Sequence, residues 1–175
     1  MAGSPALLRP RGLRLHLKRT HVADRVACLA TATIVSSTVS GNADDNVVNA
    51  APTAGAFTFT NSLVVASGEP HASACTRVDD AISLGHNIES SGDTCGFDRS
   101  TDQVGISGER LNLGPLADNG GPTMTHALLA GSVAIDVIPE GECLDADGEP
   151  LTTDQRGEPR PAGGGCDVGA FEVQP

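Results

Sequence analysis

The sequence predicts an all-β chain: a short parallel β-solenoid followed by a turn-rich C-terminal capping domain. Three observations point there. Short β-branched segments recur at an offset of 25 residues. The chain is rich in turn residues, with 21 Gly and 11 Pro among 175 residues, well above ordinary usage. It also has only four aromatic residues, Phe57, Phe59, Phe97 and Phe171, so its core must be assembled from Val, Ile, Leu and Ala.

The offset is read by superimposing Ala32–Val39 on the segment from Ala56 to Val64. Ile34 then falls on Phe59, Ser37 on Ser62 and Val39 on Val64. Each segment alternates polar with apolar residues and runs into a turn, at Gly41-Asn42 and Ser67-Gly68, as short strands do. A third segment spans Ile82 to Ile88, with Ile88 placed 24 residues after Val64. A period of this length suits stacked coils that cannot bury their apolar faces alone. In such a stack like residues form columns, and Asn61 and Ser62 suit a bend whose backbone groups they can satisfy.

Turn signals dominate beyond Leu113. They are Asn119-Gly120-Gly121-Pro122, Glu140-Gly141, Asp147-Gly148, Arg156-Gly157 and Gly163-Gly164-Gly165, with only short apolar pieces between them. The blocks LGPLADNGGPTMTHALLAGSVAID and TTDQRGEPRPAGGGCDVGAFE stand here in order. Together with SSTVSGN, TNSLVVAS and SLGHNIESSGDTCG upstream, they resemble bacterial secreted and surface proteins of the choice-of-anchor Q type. That resemblance implies a right-handed parallel β-helix (pectate-lyase-like) over residues 28–112, closed by a domain over 113–173. It implies no reaction or ligand.

Residues 1–27 differ from the rest. Up to residue 25 they carry Arg9, Arg11, Arg14, Lys18, Arg19 and Arg25 against Asp24, whereas the remainder holds five Arg, no Lys and 21 acids. Leu13, Leu15 and Leu17 alternate with Arg14, His16 and Lys18, which suits an exposed strand or a short basic helix. The segment is expected to be poorly ordered and to mark a truncated or misassigned start more than a surface-binding arm. Its apolar run from Val26 to Ala32 is too short for a signal peptide preceded by so long a basic stretch.

The acidic body disfavours nucleic-acid and anionic-membrane partners, and no stretch reaches the length of a membrane span. Five cysteines form no CxxC pair. Cys75/Cys95 and Cys143/Cys166 each bracket loop-like sequence, so disulfides are expected there, leaving Cys28 free; buried thiols in a reducing compartment are the alternative. The expected location is extracellular or at the cell surface, the expected state a monomer, and the expected partner an extracellular polysaccharide or another surface component.

For chemistry the sequence offers little. Asp44-Asp45 and Asp79-Asp80 are sequential pairs in loops, and neighbours in a strand point to opposite faces, so neither is a carboxylate dyad by itself. Gly85-His86-Asn87 only half resembles the Gly-His-Gly of β-helix hydrolases, His126 suits a hydrogen-bonding role, and Gly163-Gly164-Gly165 lacks the Lys and helix of a phosphate loop. No catalytic or cofactor-binding residue is assigned. Asp145, Asp147 and Glu149 alternate around Gly148 like a calcium loop, but the glycine is misplaced and Arg156 stands where a bidentate acid belongs. They remain a calcium candidate, against an acidic surface loop. Asp154 and Arg156 suit a structural pair. The expected function is therefore a non-catalytic structural or adhesive module, with a polysaccharide-active lyase or glycoside hydrolase as the alternative.

Overall fold

The computed structural model describes residues 31–42, 46–49, 56–66, 73–76, 78 and 81–175, and the strand backbone at 15–18, 21–22 and 26–28. In chain order the strands are β1 Leu15–Lys18, β2 His21–Val22, β3 Val26–Cys28, β4 Ala32–Val35, β5 Thr38–Val39, β6 Val47–Asn49 and β7 Phe57–Thr60. They continue with β8 Leu63–Val65, β9 Cys75–Thr76, β10 Ile82–Ser83, β11 Ile88–Ser90, β12 Gln103–Ile106, β13 Leu113–Ala117 and β14 Thr125–Leu128. One short helix, α1 (Gly108–Leu111), is capped by the Ser107 side chain, which accepts from Arg110 N–H, and closed by Asn112 in the left-handed region. A 3-10 turn occupies Glu140–Glu142.

The strands form separate ladders. Parallel sheets have the orders β1-β4-β7-β10, β2-β5-β8-β11-β12 and β3-β6-β9, and β13-β14 is an antiparallel pair. Ile34 pairs with Phe59 and Val39 with Val64. The third segment keeps the same spacing, because Ile88 pairs with Leu63 and not with its expected neighbour Val64.

The closed right-handed parallel β-helix expected from the sequence is not formed. The protein is instead a small strand-rich molecule of short parallel and antiparallel sheets, with no closed solenoid among the described residues. The physical reason lies in the length and endings of the ladders. Strands of two to five residues provide few backbone bonds each, and the sheets end at different places, the smallest already at β9. Between β11 and β12 Glu89 takes the N–H groups of Thr94 and Cys95, and after β12, which still pairs parallel with β11, β13 runs antiparallel to β14.

Two apolar cores hold the molecule. The first contains Ile34, Val39, Val47, Phe57, Phe59, Val64, Cys75 and Phe97. Phe59 lies edge-on to Phe97 with ring centroids 5.2 Å apart. The second gathers Leu63, Ile88 and Ile106 with Leu111, Leu128, Ile138, Cys143, Cys166 and Val168. It draws residues from both sides of residue 112. The basic segment expected to be poorly ordered contributes β1 and β2, whose backbones pair with β4 and β5. Alternation of Leu with basic residues is the local pattern that permits this strand.

The corners between strands repeat as well. Ser36, Asn61 and His86, each 25 residues apart, all adopt positive φ, at 44°, 54° and 54°. Beside them Ser37 N–H donates to Ser62 Oγ at 3.3 Å, and Ser62 N–H to Asn87 Oδ1 at 3.0 Å. Ser37, Ser62 and Asn87 are buried, so a polar ladder runs inside the fold from one corner to the next.

Candidate functional site

The last of these corners opens on the surface. His86 sits between β10 and β11 with its side chain 8 % exposed, and its Nε2 meets Glu142 Oε2 at 2.9 Å. A carboxylate only accepts, so Nε2 carries a proton. The other ring nitrogen, Nδ1, is buried and has no hydrogen-bond partner. Asn61 reaches the same 3-10 turn, donating from Nδ2 to the Glu142 carbonyl at 3.0 Å. Together with Thr60, Leu84, Leu144, Asp145, Ala146 and Gly148, these residues line a cleft of about 310 Å³. Sequence reading singled out His86 but not Glu142. The two are 56 residues apart, and no local pattern links them.

Below the corner, Asn87 and Asp102 form a second polar group. Asp102 accepts from Asn87 N–H at 2.8 Å, from Arg99 N–H at 2.9 Å and from Ser83 Oγ at 2.6 Å. Arg99 also donates from Nε to the Ser83 carbonyl. This carboxylate ties the Arg99 turn to β10 and is fully engaged in doing so.

The densest charged cluster lies in the C-terminal turns. Asp154, 2 % exposed, accepts from the N–H groups of Arg156, Glu158 and Glu172 and from Arg156 Nε. The Arg156 guanidinium lies 3.7 Å from the centre of the Phe171 ring. Arg160 is buried with Glu172 at 3.3 Å and donates to the carbonyls of Gly169 and Asp167. Asp167 accepts from Asp136 and Val173 N–H, and Glu172 from Ala162 and Asp167 N–H. Burial pushes the Asp167 carboxyl above its ordinary range, against those hydrogen bonds and the Arg160 charge. Burial raises Glu172 in the same way, opposed by Asp167 N–H and Arg160. The expected Asp154–Arg156 pair is present at 2.8 Å, inside a larger network that the sequence did not announce.

The remaining candidates divide plainly. Asp145 Oδ1 accepts from Asp147 N–H at 2.8 Å and from Glu149 N–H at 3.2 Å, which makes the acidic loop an Asp-capped turn. Asp147 and Glu149 are exposed. Among the described residues no three His, Cys, Asp or Glu side chains are placed together to hold a metal ion. Cys75–Cys95 and Cys143–Cys166 are bridged; the side chain of Cys28 lies outside the described residues. So do Asp44, Asp45, Arg77, Asp79 and Asp80. His126 Nδ1 meets the Gly114 carbonyl, a contact between β13 and β14. The glycine run presses on the backbone: a Cβ at Gly165 would lie 2.5 Å from the Ile138 carbonyl oxygen, a close approach only Gly permits.

No family model, curated protein or solved structure matches the chain. Among the described residues no helix is long and apolar enough to cross a membrane.

Proposed function

We propose that this chain is a non-catalytic extracellular or cell-surface module with a structural or adhesive role. The observation that carries the reading is the use made of its buried and half-buried carboxylates. Glu89, Asp102, Asp154, Asp167 and Glu172 all accept backbone N–H groups. A carboxylate saturated in this way fastens turns and is not free to take a proton from a substrate, which a general base must do. Two disulfides suit an oxidising compartment. The resemblance to choice-of-anchor Q surface proteins points the same way.

The test is to incubate the purified protein with pectate and with alginate, with and without calcium, and to follow unsaturated product and reducing ends. No turnover above buffer is expected. Turnover that disappears in an Asp79→Asn or Asp80→Asn variant would replace this reading with that of a polysaccharide-active enzyme.

A further inference from the structure

Among the described residues β10 is the last strand of its parallel sheet, paired on one side with β7. Along a parallel strand, successive residues turn their backbone groups to opposite neighbours. Leu84 N–H bonds to the Phe59 carbonyl of β7 at 2.8 Å, so the backbone groups of Ser83 face the outer edge. There the Ser83 carbonyl accepts from Arg99 Nε at 2.9 Å. The Arg99 side chain holds the place where a further strand would donate. Three more contacts fix its turn to this end of β10. Asp102 accepts from Ser83 Oγ at 2.6 Å and from Asn87 N–H at 2.8 Å, and Thr101 Oγ1 accepts from His86 N–H at 3.1 Å. The fit is close: a Cβ at Gly85, whose φ is +107°, would lie 2.7 Å from that Oγ1. Ile82 and Leu84 are 47 % and 58 % exposed, and Ser83 between them is buried. Two large apolar side chains stand in water on one face of the strand. Such an edge is a ready template for pairing with another chain.

We propose that the Arg99–Asp102 turn is an edge guard: it occupies the outer carbonyl of β10 and keeps a second copy of this chain from pairing there. Two identical edges can meet about a twofold axis, which would satisfy both backbones at once and bring the Ile82 and Leu84 side chains of both copies together. Charge does not imitate this effect. Removing an Arg from a chain of net charge −11 strengthens self-repulsion, so tighter association of such a variant comes from the opened edge. An adhesive chain and a catalytic one need the guard alike, so its failure would leave the non-catalytic reading untouched.

Sedimentation equilibrium over a concentration series compares the parent chain, Arg99→Met and Arg110→Met. Arg110 is also exposed, so its variant controls for the lost charge and the added methionine. Arg99→Met keeps a stem without its donor and should self-associate about ten-fold more tightly than the parent, the scale of one hydrogen bond to a charged group. Arg110→Met should not. In Arg99→Met the Ser83 amide should exchange more slowly as protein concentration rises, and adding Ile82→Lys should return association to the parent level. Equal association of Arg99→Met and the parent, association matched by Arg110→Met, or protection confined to another strand would overturn the proposal. Urea midpoints of the same samples report whether the fold is intact. Where the midpoint falls, exchange at Ser83 still decides, because association of unfolded chains protects no single strand.

Discussion

The parallel-sheet half, up to about Ile106, and the turn-built half, from Leu113 onward, solve the same problem by different means. In the first, backbone groups pair along ladders, and side chains are free to be apolar and stacked, as Ile34 beside Phe59 and Val39 beside Val64. In the second, regular pairing is limited to one hairpin and three isolated bridges. There the backbone N–H groups turn to side-chain carboxylates, and the carbonyls of Asp167, Gly169 and Glu172 to guanidinium groups. Buried backbone groups must find partners wherever they lie. A chain without ladders must therefore bring charge inside and then balance it.

Two substitutions should break this contrast most sharply. Phe59→Ala removes a ring that is fully buried beside Phe57 and Phe97, and should cost about 3–5 kcal/mol by urea denaturation. Arg160→Met conserves much of the volume but leaves Glu172 buried without its cation, and should cost a similar amount, about 3–5 kcal/mol. The halves then differ in rescue. Adding Glu172→Gln to Arg160→Met should recover part of the loss, because the deficit is one of charge. If Arg160→Met unfolds at the same urea concentration as the parent chain, the charged network does not hold the second half.

The disulfides give a smaller and more even effect, with one in each half. Cys75–Cys95 and Cys143–Cys166 close loops of 20 and 23 residues in sequence separation. Replacing either pair by Ser should destabilise by about 3 kcal/mol on the chain-entropy model. Nearly equal shifts of the urea midpoint are expected. A loss confined to one pair would show that the other constrains little of the unfolded chain.

The smallest effect is a slope with pH, carried by two acids of the second half. Asp167 and Glu172 have ordinary values of 3.8 and 4.5 and are raised in the folded protein. The folded state then holds their protons more tightly than the unfolded state. Their contribution is fully present below the ordinary values and falls as pH rises through the raised ones. Comparing urea midpoints of the parent and Glu172→Gln between about pH 4 and 7 isolates this, and the variant should lose less stability as pH rises. A variant with the steeper loss would reverse the sign of the argument.

Much of the strand half was legible in the residues. β-branched alternation marks short strands, and a spacing of 25 residues places Ile34 and Phe59 side by side whatever the overall topology. The paired positions of the cysteines around loops were legible for a similar reason, since each bridge spans a short stretch of chain. Periodicity does not say how successive strands join, and that is where the expectation of a closed helix failed: the ladders end separately, and a second core runs across residue 112. The candidate site was hidden more deeply. Asn61 meets Glu142 across 81 residues, and Glu172 meets Arg160 only after the chain has turned back on itself. A carboxylate looks the same in sequence whether it faces water, a substrate or a backbone N–H. Sequence alone determined which residues could be strands, turns and bridges, because those depend on near neighbours. Only the tertiary structure decided which acids became turn fasteners and that Glu142 meets His86, because desolvation and hydrogen-bond partners come from distant parts of the chain.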